Sequence, residues 1–546
     1  MKEKYFNWKL GSWAVMGLLI LPILAIFYTA IGESDELFSH LFSTVLPTYT
    51  LNTFFLVAGT MLLALLFGIP SAWLMAMCKL PGEKILQWAL VLPLAMPGYI
   101  VGYVYTDWFD FAGPIQIWLR NTFELTPQQY WFPDLRTLPG AITILALVLY
   151  PYVYLLSRSA FMEQSGSLLQ SARLLKCTPT QSFFRVSLPL ARPAIAVGLS
   201  LVAMETLGDF GTVNYFAVST LTTAVYDTWL GYSNLTAAAK ISSIMLLVVV
   251  LLLSAERYSR RKQKHFQAQF TNHEDHRYPL FGWKKWLALI WCWGLVLGGF
   301  LLPILQLAYY SLHYFSDSWT TEFKVYSLNS LKVSFSVALV CVVIALIVNF
   351  YHRLSGQGGY VSKSALIPMR LSSLGYAVPG TVLAIGIMVA VLTLDHSVND
   401  VAKFMDWGRP GLIFSGTMFA LVFALSVRFS AVAIGSVESG LAKVTPSLDM
   451  AARTMGCNSS QMLRRVHIPL VMRGTLIAGL LVFIESMKEL NASILLRPFN
   501  FETLATYVYN YVSDQQLELA ALPAILLILV GLLPLIIVNR SLEKVH

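Results

Sequence analysis

The sequence predicts an all-α, polytopic membrane protein of about 12 transmembrane helices, arranged as two parallel repeats of about six. Of its 546 residues, 56% are hydrophobic and only 12% are charged, whereas a soluble domain is about 25% charged. The apolar runs are continuous rather than alternating, which indicates helices and not a barrel. The second half of the chain also resembles the first, which predicts the two repeats.

Apolar runs of roughly the 20 residues that a spanning helix needs recur along the whole chain. They cover about 10–31, 51–77, 84–106, 139–160, 193–212, 236–255, 286–310, 329–350, 366–392, 411–432, 474–494 and 517–539. The first run lacks a convincing cleavage site, so we expect it to be retained.

Lysine and arginine in the connections set the expected orientation, because basic loops stay in the cytoplasm. Segment 256–285 is the most basic, whereas 213–235 carries Asp227 and no basic residue. The alternation puts both termini in the cytoplasm. The net charge of +9 is spread among the spans, so we expect contact with membrane lipid and not with nucleic acid. The five cysteines show no Cys-x-x-Cys spacing, so neither a disulfide framework nor a zinc site is supported.

A polar, basic island occurs once in each half of the chain. "KCTPTQSFFRVSLPL" at 176–190 matches "GCNSSQMLRRVHIPL" at 456–470, and "METLGDFG" at 204–211 lies in register with "IESMKELN" at 484–491. An even number of spans per half puts both islands on one side, which indicates a parallel repeat. The predicted domains are a first repeat 1–256 with a loop at 165–192, a basic cytoplasmic linker 257–283, and a second repeat 284–546 with a loop at 445–472.

Each island is predicted to form two short helices at a turn. Gly456 stands where a left-handed residue would end the first helix. Leu188-Pro189 and Ile468-Pro469 are expected to stop the second helix before the next span. The expected capping boxes are Thr178 with Gln181 and Asn458 with Gln461.

An amphipathic surface helix of this kind is compatible with anchoring to anionic lipid. Two loops with matched spacing favour docking in two equivalent protein grooves instead, because lipid contact does not demand such detail. The matched positions predicted to contact the partner are Ala172, Arg173, Cys177, Gln181, Arg185 and Pro189 in the first loop, and Ala452, Arg453, Gly456, Gln461, Arg465 and Pro469 in the second.

The two loops resemble the EAA loop of ABC-importer permeases, which reads E-A-A, three residues, G, nine residues, I-x-L-P. The family's Glu is replaced here by Gln170 and Met450, and its Gly is kept only as Gly456. The stretches "METLGDFGTVNYFAV" and "KELNASILLRPFNFETLATYVYNY" look more narrowly like the fused, two-lobed permeases for ferric iron.

This resemblance implies a transport subunit rather than an enzyme, in the inner membrane of a bacterium. Its implied partners are a cytoplasmic ABC ATPase homodimer, which receives the two loops, and a periplasmic substrate-binding protein. The chain has no G-x-x-x-x-G-K-[ST] motif, so ATP is expected to be used by the partner and no cofactor to be bound here.

The implied cargo is ferric iron, with thiamine, phosphonate or sulfate as alternatives. An ion-coupled secondary transporter also has parallel repeats, but it would have no use for two coupling loops. A membrane enzyme finds little support, because no histidine cluster or Ser-His-Asp set occurs within the spans.

Four carboxylates within spans are candidates for the translocation pathway, because charge inside a membrane is costly. Glu205 with Asp209, and Glu485 with Glu489, are spaced i, i+4, which would put each pair on one helical face. Their oxygens suit a hard cation, although a stable metal site is not expected. Alternatively, Lys488 pairs with a neighbour, or some of these groups are solvated.

Two matched Pro-Gly pairs, Pro97-Gly98 and Pro379-Gly380, are predicted to break spans three and nine. They would shape a gate or permit close helix packing. Tyr99, Tyr103 and Tyr105 add oxygens near the first pair, although tyrosine is also common at membrane interfaces.

Overall fold

The structure is a computed structural model, and it describes residues 6–33, 36–162, 164, 178–260, 277–355, 363–442 and 444–543. Almost all of the regular structure is helical, which confirms the predicted fold class. In the first half the α-helices are Phe6–Ala30, Leu37–Thr44, Leu46–Met77, Glu83–Ala89, Gly98–Phe109, Pro114–Phe123, Leu138–Met162, Pro179–Ser182, Leu188–Gly208, Gly211–Tyr215, Leu221–Tyr226 and Leu235–Arg260.

The second half is equally rich in helix. Its α-helices are Trp283–Val296, Leu302–His313, Phe315–Ser318, Thr321–Ser355, Lys363–Ser372, Gly380–Phe404, Met418–Ala442, Pro446–Thr454, Ser459–Met462, Ile468–Lys488, Ser493–Leu496, Leu504–Ser513 and Leu517–Glu543. Single 3₁₀ turns cover Leu92–Ala95 and Leu374–Ala377, and π-helical turns cover Phe183–Ser187, Asp227–Gly231, Leu297–Leu301 and Leu463–His467.

Nine helices within the described ranges are long and apolar enough to cross a membrane, and up to eleven if each of two bent helix pairs is one span. One bent pair, Glu83–Ala95 with Gly98–Phe123, turns by 92° where span three was expected to break. A shorter apolar helix, Leu517–Leu533, falls in the last expected span. The chain is therefore a multi-pass membrane protein.

The same three helices form the centre of each half. In the first half, Leu46–Met77 and Leu188–Gly208 both pack on Leu138–Met162. Val153 lies where these helices meet, because a Cβ on Gly68 would come within 2.8 Å of its Cβ and one on Gly198 within 3.0 Å of its Cα. Small residues at these points let the backbones approach closely.

In the second half, Thr321–Ser355, Met418–Ala442 and Ile468–Lys488 pack on one another in the same way. Cys341 and Asn349 of the first helix contact carbonyls of the second, Ser426 at 3.6 Å and Ile434 at 3.0 Å. These contacts satisfy polar groups that the membrane interior would otherwise leave costly.

The chain folds into two compact units that exchange helices between the halves. One unit contains Met1–Phe42, Ala224–Leu246 and Trp319–Val508, and the other contains Ser43–Thr223, Leu247–Ser318 and Tyr509–His546. Each unit therefore combines the central helices of one half with outer helices of the other. In the first unit, helix Phe6–Ala30 packs on Gly380–Phe404, and a Cβ on Gly386 would lie 2.3 Å from the Pro22 carbonyl oxygen.

The end of the basic linker is attached to the turn that precedes the first bent pair. Cys78-Lys79 and Tyr278-Pro279 form a two-residue parallel strand pair. Arg277 donates to both carboxylate oxygens of Glu83 at 2.9 Å. Bidentate pairing of this kind fixes geometry as well as charge.

Pro189 and Pro469 do not stop their helices, contrary to the expectation. Each follows a π-helical turn, Phe183–Ser187 or Leu463–His467, and the helix continues to Gly208 or Lys488. Proline clashes with the carbonyl four residues back and donates no hydrogen bond. One extra residue in the preceding turn removes that conflict without ending the helix.

Candidate functional site

Both Pro-Gly pairs are helix breaks of the same geometry. Pro97 is extended at φ −61° and ψ 135°, and Gly98 begins the next helix. Pro379 is extended at φ −54° and ψ 141°, and Gly380 begins the next helix. We call these the first break and the second break.

Each break packs closely against the turn that holds one predicted pathway carboxylate. A Cβ on Gly98 would lie 2.7 Å from the Thr212 hydroxyl oxygen. A Cβ on Gly380 would lie 2.5 Å from Nη1 of Arg428 and 2.9 Å from Oε1 of Glu489. A side chain at either position would clash, so close packing accounts for the glycines. Whether the two breaks also form a gate stays a prediction.

Asp209 lies just beyond the helix that was expected to carry it. The helix ends at Gly208, and Asp209 is extended at φ −70° and ψ 122°. Its Oδ1 accepts from the backbone N–H of Thr212 at 2.9 Å and of Val213 at 3.2 Å, and its Oδ2 accepts from the Thr212 hydroxyl at 3.0 Å. The carboxylate caps the next turn instead of sharing a helical face with Glu205.

Glu489 makes the equivalent cap in the second half and adds an ion pair. It follows the helix that ends at Lys488, at φ −71° and ψ 118°. Its oxygens accept from Ala492 N–H at 2.9 Å and from the Ser493 N–H and hydroxyl at 3.1 Å. Arg428, on the helix Met418–Ala442, donates to Oε1 at 3.2 Å, and both side chains are buried. The expected helical face shared with Glu485 is therefore wrong here too.

The other two carboxylates lie within their helices. Glu205 is half-buried. Glu485 pairs with Lys488 at 3.3 Å, and its side chain is 42% exposed, which is the alternative that the sequence left open. Whether the four carboxylates share one path stays a prediction. The described residues contain no group of three His, Cys, Asp or Glu able to hold a metal.

Aromatic residues surround the first break. The Tyr99 side chain is 3% exposed, and its ring centroid lies 5.7 Å from that of Tyr509. Tyr509 accepts a hydrogen bond from Asn214 Nδ2 at 2.6 Å. By contrast, Tyr105 donates to the Gly298 carbonyl at 2.5 Å. Tyr509 is a neighbour that sequence reasoning missed, because it lies far away along the chain.

The second loop, 445–472, has the expected local structure. Its first helix is Pro446–Thr454, and Gly456 is left-handed at φ 83°. Asn458 and Gln461 form the expected capping box, with bonds of 3.0 and 2.8 Å. In the first loop, Thr178 and Gln181 do the same at 3.1 and 3.3 Å. The predicted contact residues Ala172, Arg173 and Cys177 lie outside the described residues.

A buried ion cluster that sequence reasoning missed holds the second loop. Asp449 accepts from Nε of Arg353 at 2.8 Å and contacts Nε2 of His467 at 2.6 Å. Arg353 also donates to the carbonyls of Leu441 at 2.7 Å and Val444 at 2.8 Å. In the sequence, Arg353 looks like any basic residue at the end of a span. The one signal of this cluster was Asp449, the lone acidic residue in a basic loop.

The first island is held by aromatic packing instead. Phe183 contacts Trp73 at 5.0 Å and Phe161 at 6.2 Å between ring centroids. Leu169 and Ser187 occupy the sequence positions that match Asp449 and His467. Among the described residues, the two loops are therefore held by different contacts.

The face of the second loop that is open to a partner is not the one expected. Ala452 is 1% exposed and packs in a cluster with Phe350, Leu354 and Met462. Met450 and Met455 are 65% and 76% exposed. Gln461 and Arg465 are exposed, and Arg453 is half-buried. Leu448 is also exposed, at 43%, so the exposed apolar surface of this loop includes Leu448, Met450 and Met455.

Comparison with known proteins places this architecture in a family. The model of the binding-protein-dependent transport system inner membrane component matches residues 64–264 and again 359–545. The "Fe(3+)-transport system permease protein FbpB 2" of Haemophilus influenzae is 25% identical over 533 residues, which cover 96% of each chain.

Two further relatives match part of this chain. The "Molybdenum transport system permease protein ModB" of Escherichia coli is 32% identical over 35% of this chain and 85% of its own. The "Sulfate transport system permease protein CysW" of Escherichia coli is 26% identical over 50% of this chain and 95% of its own. These relatives are permease subunits and not enzymes. Because the family model covers most of the chain in two copies, the chain belongs to the family of binding-protein-dependent transport system inner membrane components.

Proposed function

We propose that this permease imports ferric iron. The observation that carries the proposal is the full-length match, over 96% of both chains, to a permease whose name specifies Fe(3+) transport. The molybdate and sulfate permeases match 35% and 50% of this chain. The fused, two-lobed organisation is thus matched along its whole length by the iron permease.

The charges beside the two breaks support a cation over an oxyanion. Asp209 is a carboxylate without a cationic partner among the described residues. Arg428 is the cation at the second break, but Glu489 neutralises it at 3.2 Å. A buried pair has no net charge to offer an anion, whereas the Asp209 carboxylate attracts a cation in a low-dielectric setting.

Sulfate or molybdate import is the second candidate, and Arg428 is the observation that favours it. An arginine fork suits tetrahedral oxyanions. This candidate requires Glu489 to release Arg428 during transport, at the cost of separating a buried pair.

We further propose that an ABC ATPase dimer receives the two loops and that a substrate-binding protein delivers the cargo from the opposite side. The family description specifies dependence on a binding protein. Both termini and both loops would then lie in the cytoplasm of a bacterium, with the chain in its inner membrane. ATP would be used by the ATPase alone, with no cofactor on this chain.

Uptake assays with the three competing cargoes test the proposal. The permease is expressed with its ATPase and binding protein in cells lacking their own iron importers, and uptake of radioactive ferric iron, molybdate and sulfate is measured. We expect ATP-dependent uptake of iron alone. Uptake of either oxyanion without iron would overturn the assignment of cargo and leave the family membership intact.

A further inference from the structure

The two breaks share a backbone geometry and a buried hydroxyl. The residue after the glycine carries a hydroxyl in both: Tyr99 at the first break and Thr381 at the second, with exposures of 3% and 0%. Neither hydroxyl has a hydrogen-bond partner among the described residues. A buried hydroxyl without a partner costs free energy, and a ligand that reached it would recover part of that cost.

The carboxylates beside the two breaks differ in how many hydrogen-bond acceptor positions remain open. A carboxylate offers about four acceptor positions. Glu489 fills them with Arg428, Ala492 and two donors of Ser493. Asp209 accepts only from two donors of Thr212 and from the Val213 N–H. Asp209 therefore keeps an open acceptor position, and no cationic side chain among the described residues pairs with it.

The unpartnered hydroxyl of Tyr99 belongs to the same group of side chains as Asp209. Gly98, which precedes Tyr99, packs on the Thr212 hydroxyl that Asp209 accepts from. The ring of Tyr509 lies 5.7 Å from that of Tyr99 and 6.0 Å from that of Phe210, the residue that follows Asp209. Tyr509 in turn is oriented by Asn214, at 2.6 Å. Tyr99, Tyr509 and the turn that Asp209 caps thus pack together beside the first break.

We propose that Tyr99, Asp209 and Tyr509 form a transient oxygen-donor contact for a hard trivalent cation, and that the second break provides no equivalent contact. This inference rests on the proposed function. Oxygen donors suit a hard cation, and the uncompensated charge of Asp209 attracts it. At the second break Thr381 lies beside a neutralised pair. A conducting path must also release its ion, which agrees with a contact of three ligands or fewer.

The substitution Tyr99→Phe tests this contact without a folding penalty. It removes a hydroxyl that has no partner and keeps the ring against Tyr509, so the stability of the fold should not fall. We expect the rate of ferric uptake to fall about tenfold, as for one lost contact in the rate-limiting passage. Copurification with the ATPase and the melting temperature should equal those of the unmodified protein.

Two matched variants serve as controls. Thr381→Val removes the corresponding hydroxyl at the second break, and Tyr150→Phe removes a buried phenol that instead donates to the Leu90 carbonyl at 2.9 Å. Both should keep ferric uptake within about twofold. Addition of gallium(III), a redox-inert hard cation, should inhibit iron uptake by the unmodified protein more strongly than by Tyr99→Phe.

The outcomes separate the contact from the function. Iron uptake by the unmodified protein with a selective loss in Tyr99→Phe supports the contact. Iron uptake that falls equally in Tyr99→Phe and Thr381→Val, or in neither, overturns the contact and leaves the function standing. Absence of iron uptake by the unmodified protein overturns the proposed function, and the contact with it.

Discussion

Asp209 and Glu489 have the same backbone geometry but different electrostatic surroundings. Each residue follows a central helix, turns into an extended conformation and caps the next turn. Arg428 then neutralises Glu489, whereas Val148 occupies the matching position in the first half. The same cap is therefore an ion pair in one half and an uncompensated carboxylate in the other.

Loss of the Glu489 charge should destabilise the protein. Glu489→Gln leaves Arg428 buried without its counter-charge, and breaking a buried pair costs about 3–5 kcal/mol. We expect a markedly lower melting temperature in detergent and a lower yield. Glu485→Gln is the matched control, because that pair is 42% exposed on the carboxylate side and should change stability by less than about 1 kcal/mol. Equal melting temperatures for the two variants would contradict this account.

Asp449 should stabilise the second loop in a pH-dependent way. Burial raises the pKa of Asp449, but hydrogen bonds from Arg353 and His467 outweigh it and hold the pKa below its usual range. A lowered pKa in the folded state means that the stabilisation is present above the unfolded pKa of about 3.9 and is lost as pH falls through the folded value.

The substitution Asp449→Asn should therefore lower the melting temperature at pH 7. The difference from the unmodified protein should stay constant down to about pH 5 and narrow only below about pH 4. A difference that disappears between pH 7 and 6 would show that the Asp449 carboxylate is not the group responsible. Thermal unfolding of the purified protein across this pH range checks both statements.

At the scale of elements, the sequence predicted most of the helices and the places where they break. Apolar runs predicted most of the spans, and the two Pro-Gly pairs predicted both breaks, because these signals are local in the sequence. The π-helical turns before Pro189 and Pro469 were missed. A proline in a sequence predicts the end of a helix, and the sequence does not show that the preceding turn contains an extra residue. The ion cluster of the second loop was missed because Arg353 and Asp449 meet only in the folded chain.

The same limit applies to the docking face of the second loop. Helical periodicity put Ala452 on the apolar face, but it could not tell which side the protein itself covers. Ala452 is buried against Phe350 and Leu354, while Met450 and Met455 are exposed. A carboxylate at Ala452 would disturb the fold and report poorly on docking.

Met455→Asp should weaken binding of the ATPase without unfolding the loop. Met455 is 76% exposed, so the change costs little in the isolated permease, whereas burying an unpaired carboxylate in a partner's groove costs several kcal/mol, on the order of 2–7. We expect copurification of the ATPase to fall at least about tenfold. Ser460→Asp, also on an exposed position of this loop, should retain the ATPase. Retention of the ATPase by both variants would show that the exposed surface around Met455 does not dock.

At the scale of the whole molecule, each compact unit is completed by helices from the other half. The first unit joins Met1–Phe42 and Ala224–Leu246 to the centre of the second half, and the other unit joins Leu247–Ser318 and Tyr509–His546 to the centre of the first. The internal repeat was visible in the sequence, but this exchange was not, because packing between distant helices leaves no local pattern.

This exchange predicts that neither half folds alone. If the chain is divided within 261–276, the first fragment retains helix Phe6–Ala30 but loses Gly380–Phe404, against which that helix packs. The second fragment loses Gly98–Phe109, on which Leu302–His313 and Leu517–Glu543 pack. Without these partners, small-residue contacts such as Gly386 against Pro22 cannot form, and van der Waals packing is what holds membrane helices together. Each fragment expressed alone should be degraded or aggregate, whereas coexpressed fragments should copurify and restore uptake. Expression yields, size-exclusion profiles and transport are compared for the two single fragments and the coexpressed pair. A single fragment that is monodisperse and stable would contradict the exchange, because the helices of that half would then pack without partners from the other half.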